Sequence, residues 1–254
     1  MLFTKKSLGN WRGEAVRTMA RLLLEQDRFV GGWFSVAEGL CLLKAALGLK
    51  PGDDAVEIGS FMGKSSRWFQ IGCRASGANL TCVDPFDSSG RGEPAEIAKF
   101  YRDVAPDGSR SLFEWNLGLL FTKEERENLS VVQKCSKDAA SEWPKGRKIQ
   151  LLFIDGNHTE CDDDFAAWAP HLTDSAAIVF HDISHAGIDV YGEHGPTATY
   201  RRLTSAGWTL LEQGDLCRMI TRDERAWTKA WNDRSPVEIG LPAPMLAVKE
   251  VDPR

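Results

Sequence analysis

The sequence predicts an α/β fold, a doubly wound and mostly parallel seven-stranded sheet that finishes in an antiparallel hairpin. Three observations carry this. Five short apolar runs, each bounded by turn residues, occur at 55-AVEIG-59, 79-NLTCVD-84, 130-SVVQKC-135, 149-IQLLFID-155 and 176-AAIVFHD-182. Helical patterns alternate with them, at Lys64 to Arg74, Glu93 to Tyr101, Lys137 to Trp143 and Asp162 to Ala169. Strands that are apolar on both faces and separated by helices belong to a parallel sheet covered on both sides. Finally, 208-WTLLEQ-213 and 216-LCRMIT-221 are joined by Gly214-Asp215, a junction short enough for a hairpin.

The elements follow in order. From Arg12 to Glu25, Val16, Met19, Ala20 and Leu23 recur at helical spacing, an amphipathic pattern. Ser35 and Glu38 form a capping box for a second helix with an apolar stripe of Val36, Leu40, Leu43 and Leu47, which Gly48 and Pro51-Gly52 end. After the fifth strand a further helix covers roughly residues 196–207. Residues 87–129 are too long for an ordinary connection, and such excursions are more often functional than idle. Their aromatics, Phe100, Tyr101, Phe113 and Trp115, make either a mini-core or a lid over an apolar acceptor. Arg222 to Arg254, with Pro236, Pro242, Pro244 and Pro253, reads as an irregular arm. The organisation expected is an N-terminal helical extension (1–34), one main domain (35–221, with 87–129 as insertion or lid) and a C-terminal arm (222–254).

Composition narrows the partners. The chain has 254 residues, a formal net charge of −5, and 26% charged residues, so no electrostatic footprint for nucleic acid is expected. No apolar run approaches the roughly 20 residues of a membrane span, and no secretory signal is recognisable, which predicts a soluble, cytoplasmic protein. The basic start, MLFTKKSLGNWR, is interrupted by Glu14 and Glu25 and makes a poor transit peptide. Six cysteines without a C-x-x-C pair predict reduced, mostly buried thiols and no structural metal.

The ligand is read from 56-VEIGSFMGKSS-66. A phosphate-binding loop needs four residues between its first glycine and the Gly-Lys pair, and Gly59 and Gly63 enclose only three. A dinucleotide fingerprint needs glycines where Phe61 and Lys64 stand. What remains is an acid inside the first strand (Glu57), a tight turn through Gly59 and Ser60, and a second acid, Asp84, ending the next strand. A carboxylate in that second position accepts both hydroxyls of a ribose. The ligand suggested is a nucleoside without phosphates. The rival from another class is a nucleotide hydrolase or kinase using Lys64 and Asp155, and a third reading is a sheet that binds the nucleoside without catalysis.

The runs 55-AVEIGSFMGKSSRWF-69, 81-TCVDPFD-87, 151-LLFIDGNHTECDDDFAAWAP-170 and 177-AIVFHDI-183 together resemble the successive motifs of class I S-adenosylmethionine-dependent methyltransferases. They are similar in detail to the small-molecule branch related to catechol and antibiotic-sugar O-methyltransferases. The resemblance covers roughly residues 35–221 and implies a Rossmann-like fold with a reversed last strand. It implies that Glu57, Gly59, Ser60 and Gly63 line the methionine part of S-adenosylmethionine, that Asp84 holds the ribose, that Pro85 and Phe86 border the adenine, and that Ser136 faces its edge.

The five histidines lie between residues 158 and 194, and His158 and His181 fall at the ends of the fourth and fifth strands, where ligands of open parallel sheets bind. Transfer of a methyl group to oxygen requires the acceptor to lose a proton, so a base or a metal-lowered pKa is needed there. His158, His181 and Asp155 are the catalytic candidates. The resemblance implies that Asp155 and Asp182 hold Mg2+ or another divalent cation, with Ile183 standing where relatives carry an amide ligand and His181 an alternative ligand for a different ion. Taken singly, Asp182 is as well explained as a turn cap and His181 as a buried, satisfied histidine. The acids 162-DDD-164 read as helix-start residues, Phe165 and Trp168 as core, and Cys135 and Cys161 as bystanders. The acceptor expected is a small molecule. The N-terminal helix and the arm suggest a homodimer, though they serve equally as covers for the core.

Overall fold

A computed structural model describes Leu23, Glu25, residues 30–184 and residues 191–233. In chain order the elements are α1 (Val36–Leu47), β1 (Asp54–Ile58), α2 (Lys64–Ser76), β2 (Asn79–Val83), α3 (Ala95–Val104), α4 (Arg110–Gly118), β3 (Leu129–Val132), α5 (Ser136–Ser141), β4 (Ile149–Ile154), α6 (Cys161–Trp168), β5 (Leu172–Phe180), α7 (Pro196–Ser205), β6 (Thr209–Gly214), β7 (Cys217–Thr221) and α8 (Glu224–Asn232). The seven strands form one sheet in the order β3-β2-β1-β4-β5-β7-β6. The first five are parallel, and β7 runs antiparallel to both β5 and β6.

The strands obey the two-residue alternation of a sheet buried on both faces. Ala55, Leu151, Phe153, Ala177, Val179 and Met219 pack into one apolar cluster with Leu42, Leu43, Trp68 and Phe69 of α1 and α2. Val56, Ile58, Leu152, Ile154, Ile178, Phe180 and Ile220 pack into the other with Ala140, Trp168 and Leu203 of α5, α6 and α7. Each such side chain, fully removed from water, contributes roughly 1.5–3 kcal/mol before the cost of ordering the chain. Trp168 is core, as its position predicts. All six cysteines are free thiols, five of them buried.

α1 starts with the predicted capping box: Ser35 Oγ accepts from the Glu38 amide at 3.3 Å, and the Glu38 carboxylate accepts from the Ser35 amide at 2.5 Å. The 87–129 excursion divides in two. α4 goes into the core, with Phe113 buried against Phe86 at 5.2 Å, whereas Phe100 and Tyr101 of α3 meet Trp33 at 4.7 and 5.8 Å on the open side. Trp115 joins neither and stands 68% exposed.

Two expectations change. The irregular arm begins with a helix: α8 has Asp223 as N-cap, accepting from the Ala226 amide at 2.9 Å, and buries Trp227. All four prolines of the arm fall after residue 233, outside the described residues. The N-terminal helix also lies outside them, apart from Leu23, which is helical and buried in the core, and the exposed Glu25.

Candidate active site

Register brings the site together. Ile58 pairs with Val83 on one side and Ile154 on the other, and Ile154 pairs with Phe180, so the next residues, Gly59, Asp84, Asp155 and His181, stand level along the carboxyl edge. The ladder extends one step into them. Gly59 donates its amide to Val83 at 2.9 Å, Asp155 to Ile58 at 2.9 Å, His181 to Ile154 at 3.2 Å and Asp84 to Val132 at 3.2 Å. Functional side chains on such a rim are held by the sheet itself.

A cavity of about 590 Å³ opens on this edge. One end is lined by Asp84, Pro85, Ser136 and Asp164, the middle by Gly59 and Ser60, and the other end by Asp155, His158, His181 and Asp182. Trp33, Phe34, Phe61, Ile97 and Tyr101 supply apolar wall. Asp84 is fixed from both sides, with Oδ2 accepting from the Phe61 amide at 2.8 Å and Oδ1 from the Phe86 amide at 2.5 Å. Burial pushes its pKa up, and those two amides pull it back in part.

Three of the predicted nucleoside contacts lie elsewhere. Glu57 is fully buried beneath the turn, where its carboxylate accepts from Ser60 Oγ at 2.8 Å, Ser65 Oγ at 2.7 Å and the Ser66 hydroxyl. It ties the turn to the start of α2, and burial pushes its pKa up despite those donors. Gly63 sits behind the turn as the N-cap of α2 in a left-handed conformation (φ 81°) facing Phe113. Phe86 is packed in the core against Phe113.

The other end holds a charged cluster. Asp155 Oδ1 lies 2.9 Å from His181 Nδ1 and 3.5 Å from His158 Nε2, and Asp182 Oδ2 lies 2.8 Å from His158 Nε2 and 3.3 Å from His181 Nδ1. Asp182 reaches back because its backbone is left-handed (φ 56°), a conformation that costs a non-glycine residue energy and is found where function requires it. His158 stands on a short turn begun by Asn157, whose Oδ1 accepts from the Thr159 amide at 3.1 Å, and it stacks on Tyr191 at 4.5 Å. Ile183, which stands where the resemblance would place an amide ligand, is buried in an apolar cluster. The pair presented by the end of β5 is thus His181-Asp182.

Two carboxylates that the sequence did not single out complete the cluster. Glu93, from the excursion, lies 2.5 Å from His158 Nδ1, and Glu38, the capping-box acid of α1, lies 3.1 Å from His181 Nε2. Burial opposes a charge on either histidine, but the surrounding carboxylates outweigh it and hold both pKa values well above the ordinary range. Conversely, burial opposes ionisation of Asp182, and the two imidazoles overcome this to hold its pKa low. Cys217 faces Glu38 and His181, but burial pushes its thiol far up and keeps it neutral.

Of the acid run at the start of α6, Asp163 pairs with Lys137 at 2.9 Å, and Asp162 accepts from Thr199 Oγ1 at 2.6 Å. Asp164 turns inward, where burial raises its pKa from 3.8 to about 6 against a hydrogen bond from Ser136. A carboxyl whose pKa is higher folded than unfolded binds more protons when folded, so stability falls as pH rises between 3.8 and about 6. The penalty at pH 7 is about 3 kcal/mol. Asp164→Asn is therefore expected to raise Tm by roughly 3–10 °C at pH 7.5 and by little at pH 4. Calorimetric melts across that range check it, and a Tm difference that does not vary with pH would refute the assignment.

A reversed last strand, an acid after the second strand and a cavity along the carboxyl edge define the class I S-adenosylmethionine-dependent methyltransferases. A family model described as a methyltransferase domain matches residues 56–183, and the chain belongs to that family. This displaces the nucleotide-hydrolase reading. Among solved structures, the O-methyltransferase NovP is similar over 83% of this chain and 99% of its own, with a TM-score of 0.61 and 14% identity. A putative O-methyltransferase from Klebsiella pneumoniae matches with a TM-score of 0.51 and 13% identity, covering 80% of this chain and 88% of that one. A Podospora anserina methyltransferase bound to S-adenosylhomocysteine matches with a TM-score of 0.50 and 13% identity, covering 87% and 97%. At these identities the likeness is one of fold. Among the described residues, no helix is long and apolar enough to cross a membrane.

Proposed function

We propose that the protein transfers the methyl group of S-adenosylmethionine to a hydroxyl of a small molecule. The observation that carries this is the single cavity running from Asp84 and Ser136 to the Asp155-His158-His181-Asp182 cluster, with an aromatic wall beside the cluster. Asp84 accepts the ribose hydroxyls with the lone pairs its two amide donors leave free. Ser136 and Pro85 meet the adenine, and Gly59 and Ser60 border the methionine part. The sulfonium then faces Asp155. The acceptor enters past Trp33, Phe61 and Tyr101, rings that suit an apolar or aromatic body.

The reaction forms a C–O bond as the C–S bond breaks, and it leaves S-adenosylhomocysteine. The acceptor's proton passes into the cluster, to the Asp155 carboxylate or to an imidazole nitrogen of His158 or His181 once that ring has given its own proton to a neighbouring carboxylate. Asp155 and Asp182 also fit a divalent cation, because His158 Nε2 and His181 Nδ1 are buried beside them and, among the described residues, find no group in hydrogen-bond geometry. Such a cation would lower the pKa of the acceptor hydroxyl and orient it. The N-terminal helix and C-terminal arm remain the segments proposed for a homodimer contact or for covering the core.

Two assays test this. S-adenosylhomocysteine is expected to bind the wild type in calorimetry and to bind Asp84→Ala roughly 10- to 150-fold more weakly, the about 1.5–3 kcal/mol of hydrogen bonds to a charged group. Labelled methyl groups from S-adenosylmethionine should appear on members of a panel of phenols, vicinal diols and sugar alcohols. Methylation confined to amines or thiols would sink the hydroxyl assignment.

A further inference from the structure

We infer that the cluster at the ends of β4 and β5 is a transition-metal centre in which His158 and His181 are ligands beside Asp155 and Asp182, and that it takes a first-row dication of the Mn2+ to Zn2+ series in preference to Mg2+. The inference rests on the reading of this cavity as the methyl-transfer site and goes beyond it in naming the ion class and two further carboxylates that set the ligands.

The first support is geometric. One donor atom from each of Asp155, His158, His181 and Asp182 lies within 4.8 Å of every other. Two ligands on opposite sides of an ion span about 4.2 Å when each bond is about 2.1 Å, so small side-chain adjustments close the set around one ion. Both histidines are more than nine-tenths buried, with side chains 9% and 4% exposed. Their inward nitrogens, His158 Nε2 and His181 Nδ1, have carboxylate oxygens at 2.8–3.5 Å yet, among the described residues, no properly directed hydrogen bond. Nitrogens and oxygens that crowd one point at ion-pair distance but out of hydrogen-bond alignment are placed as the ligands of an ion between them would be.

The second support is the outer face of each ring. Glu93 stands at His158 Nδ1, and Glu38 at His181 Nε2. An outer carboxylate that takes one ring N–H leaves the lone pair on the other nitrogen, and this pairing is typical of metal-bound imidazole. At His158 the Glu93 contact fixes the tautomer that points the Nε2 lone pair inward, whereas at His181 the Glu38 carboxylate stands 3.1 Å from Nε2 out of hydrogen-bond alignment and favours the same inward lone pair by its charge. Glu93 is held in place by its neighbour: Gly92 (φ 81°) lies so close to Asn157 that a Cβ would overlap the side-chain oxygen. Glu38 is held by the Ser35 and Leu216 amides, at 2.5 and 3.2 Å.

The donor set then selects the ion. Magnesium demands oxygen ligands in near-ideal octahedral geometry and surrenders its waters reluctantly. Two imidazoles with two carboxylates suit manganese, iron, cobalt, nickel or zinc, with affinity rising from manganese to nickel.

The test uses full-length protein stripped with a chelator and titrated with cobalt(II) chloride, read by its visible absorption bands and by calorimetry. One Co2+ per chain is expected, with affinity at least 100-fold above that for Mg2+. His158→Ala and His181→Ala should each lower cobalt affinity about 100-fold or more. Glu93→Gln should lower it about 10- to 100-fold, although its side chain touches no ion. S-adenosylhomocysteine binding by each variant serves as the check on folding. Displacement of Co2+ by equimolar Mg2+, or wild-type cobalt affinity in both histidine variants, overturns the inference. Absence of cobalt binding alongside normal S-adenosylhomocysteine binding overturns the metal centre alone, and absence of both overturns the reading of the cavity as well.

Discussion

Gly59→Ala is expected to cost about 4 kcal/mol or more of stability and to reduce S-adenosylhomocysteine affinity more than 100-fold. Two effects add. The residue has φ 86°, a region that costs an L-residue about 1–2 kcal/mol. A Cβ there would also overlap the Asp155 carbonyl oxygen and stand 2.8 Å from Gly156 Cα. Those atoms are backbone at the end of β4, which no rotamer change can move aside. Relief requires β1 and β4 to part at the point where the cofactor and catalytic ends of the cavity meet. Losses of this size are exceptional among point substitutions and need such a mechanism. Gly52→Ala is the control, because it has nearly the same dihedral (φ 85°) and nothing within 4 Å of a Cβ. It should lose only the conformational term and bind S-adenosylhomocysteine normally. Urea midpoints and calorimetry on the pair decide it. Equal effects from the two substitutions would mean that the dihedral alone matters and that the β1–β4 contact does not support the site.

The sheet was legible in the sequence because burial on both faces writes strands as short apolar runs, and the hairpin because only two residues separate its strands, although the turn falls one residue later than read, on Asp215-Leu216, since Gly214 pairs with Cys217 at the end of β6. α8 was hidden by the prolines downstream of it, although the spacing of Trp227 and Trp231 by one helical turn is its signal. Glu57 misled for a physical reason. An acid inside the first strand looks like a ligand contact, but the hydroxyls of Ser60, Ser65 and Ser66 consume it, and serine at three, eight and nine residues downstream is a pattern that could have shown this. His158, His181, Asp155 and Asp182 were legible because strand ends place them. Glu38 and Glu93 were not, since each looks like an ordinary helix-start acid and reaches its histidine only through tertiary packing of α1 and the excursion.

The excursion's division also has a physical reading. A segment that only covered the cavity would carry its aromatics on one side. Phe113 and Leu117 instead anchor α4 in the core, and that anchorage lets α3 present Tyr101 and lets the preceding loop present Glu93 without a packing layer of their own. The cavity wall at Tyr101 and the carboxylate at His158 therefore lie on one stretch of chain.

Asp155→Asn is expected to lower kcat for methyl transfer by about 10²- to 10⁴-fold, the range for loss of a positioned acid–base group, or roughly 2.7–5.4 kcal/mol of barrier. The substitution conserves shape, so Ile58 still receives the residue's amide and the sheet edge is undisturbed. What changes is charge. The carboxylate beside His181 Nδ1 at 2.9 Å becomes a neutral amide that can present its NH2 to the imidazole, leaving His181 without its counter-charge and the cluster with one acid fewer. The cofactor separates this effect from a folding defect. S-adenosylmethionine carries a sulfonium charge that the Asp155 carboxylate attracts, whereas S-adenosylhomocysteine carries none. The variant should therefore bind S-adenosylhomocysteine about as wild type does while binding S-adenosylmethionine several-fold more weakly. Parallel calorimetry with both cofactors, followed by single-turnover transfer to whichever hydroxyl acceptor the panel identifies, makes the comparison. A kcat within threefold of wild type would remove Asp155 from the chemistry, and equal weakening of both cofactors would place it in the nucleoside site instead of beside the transferred methyl group.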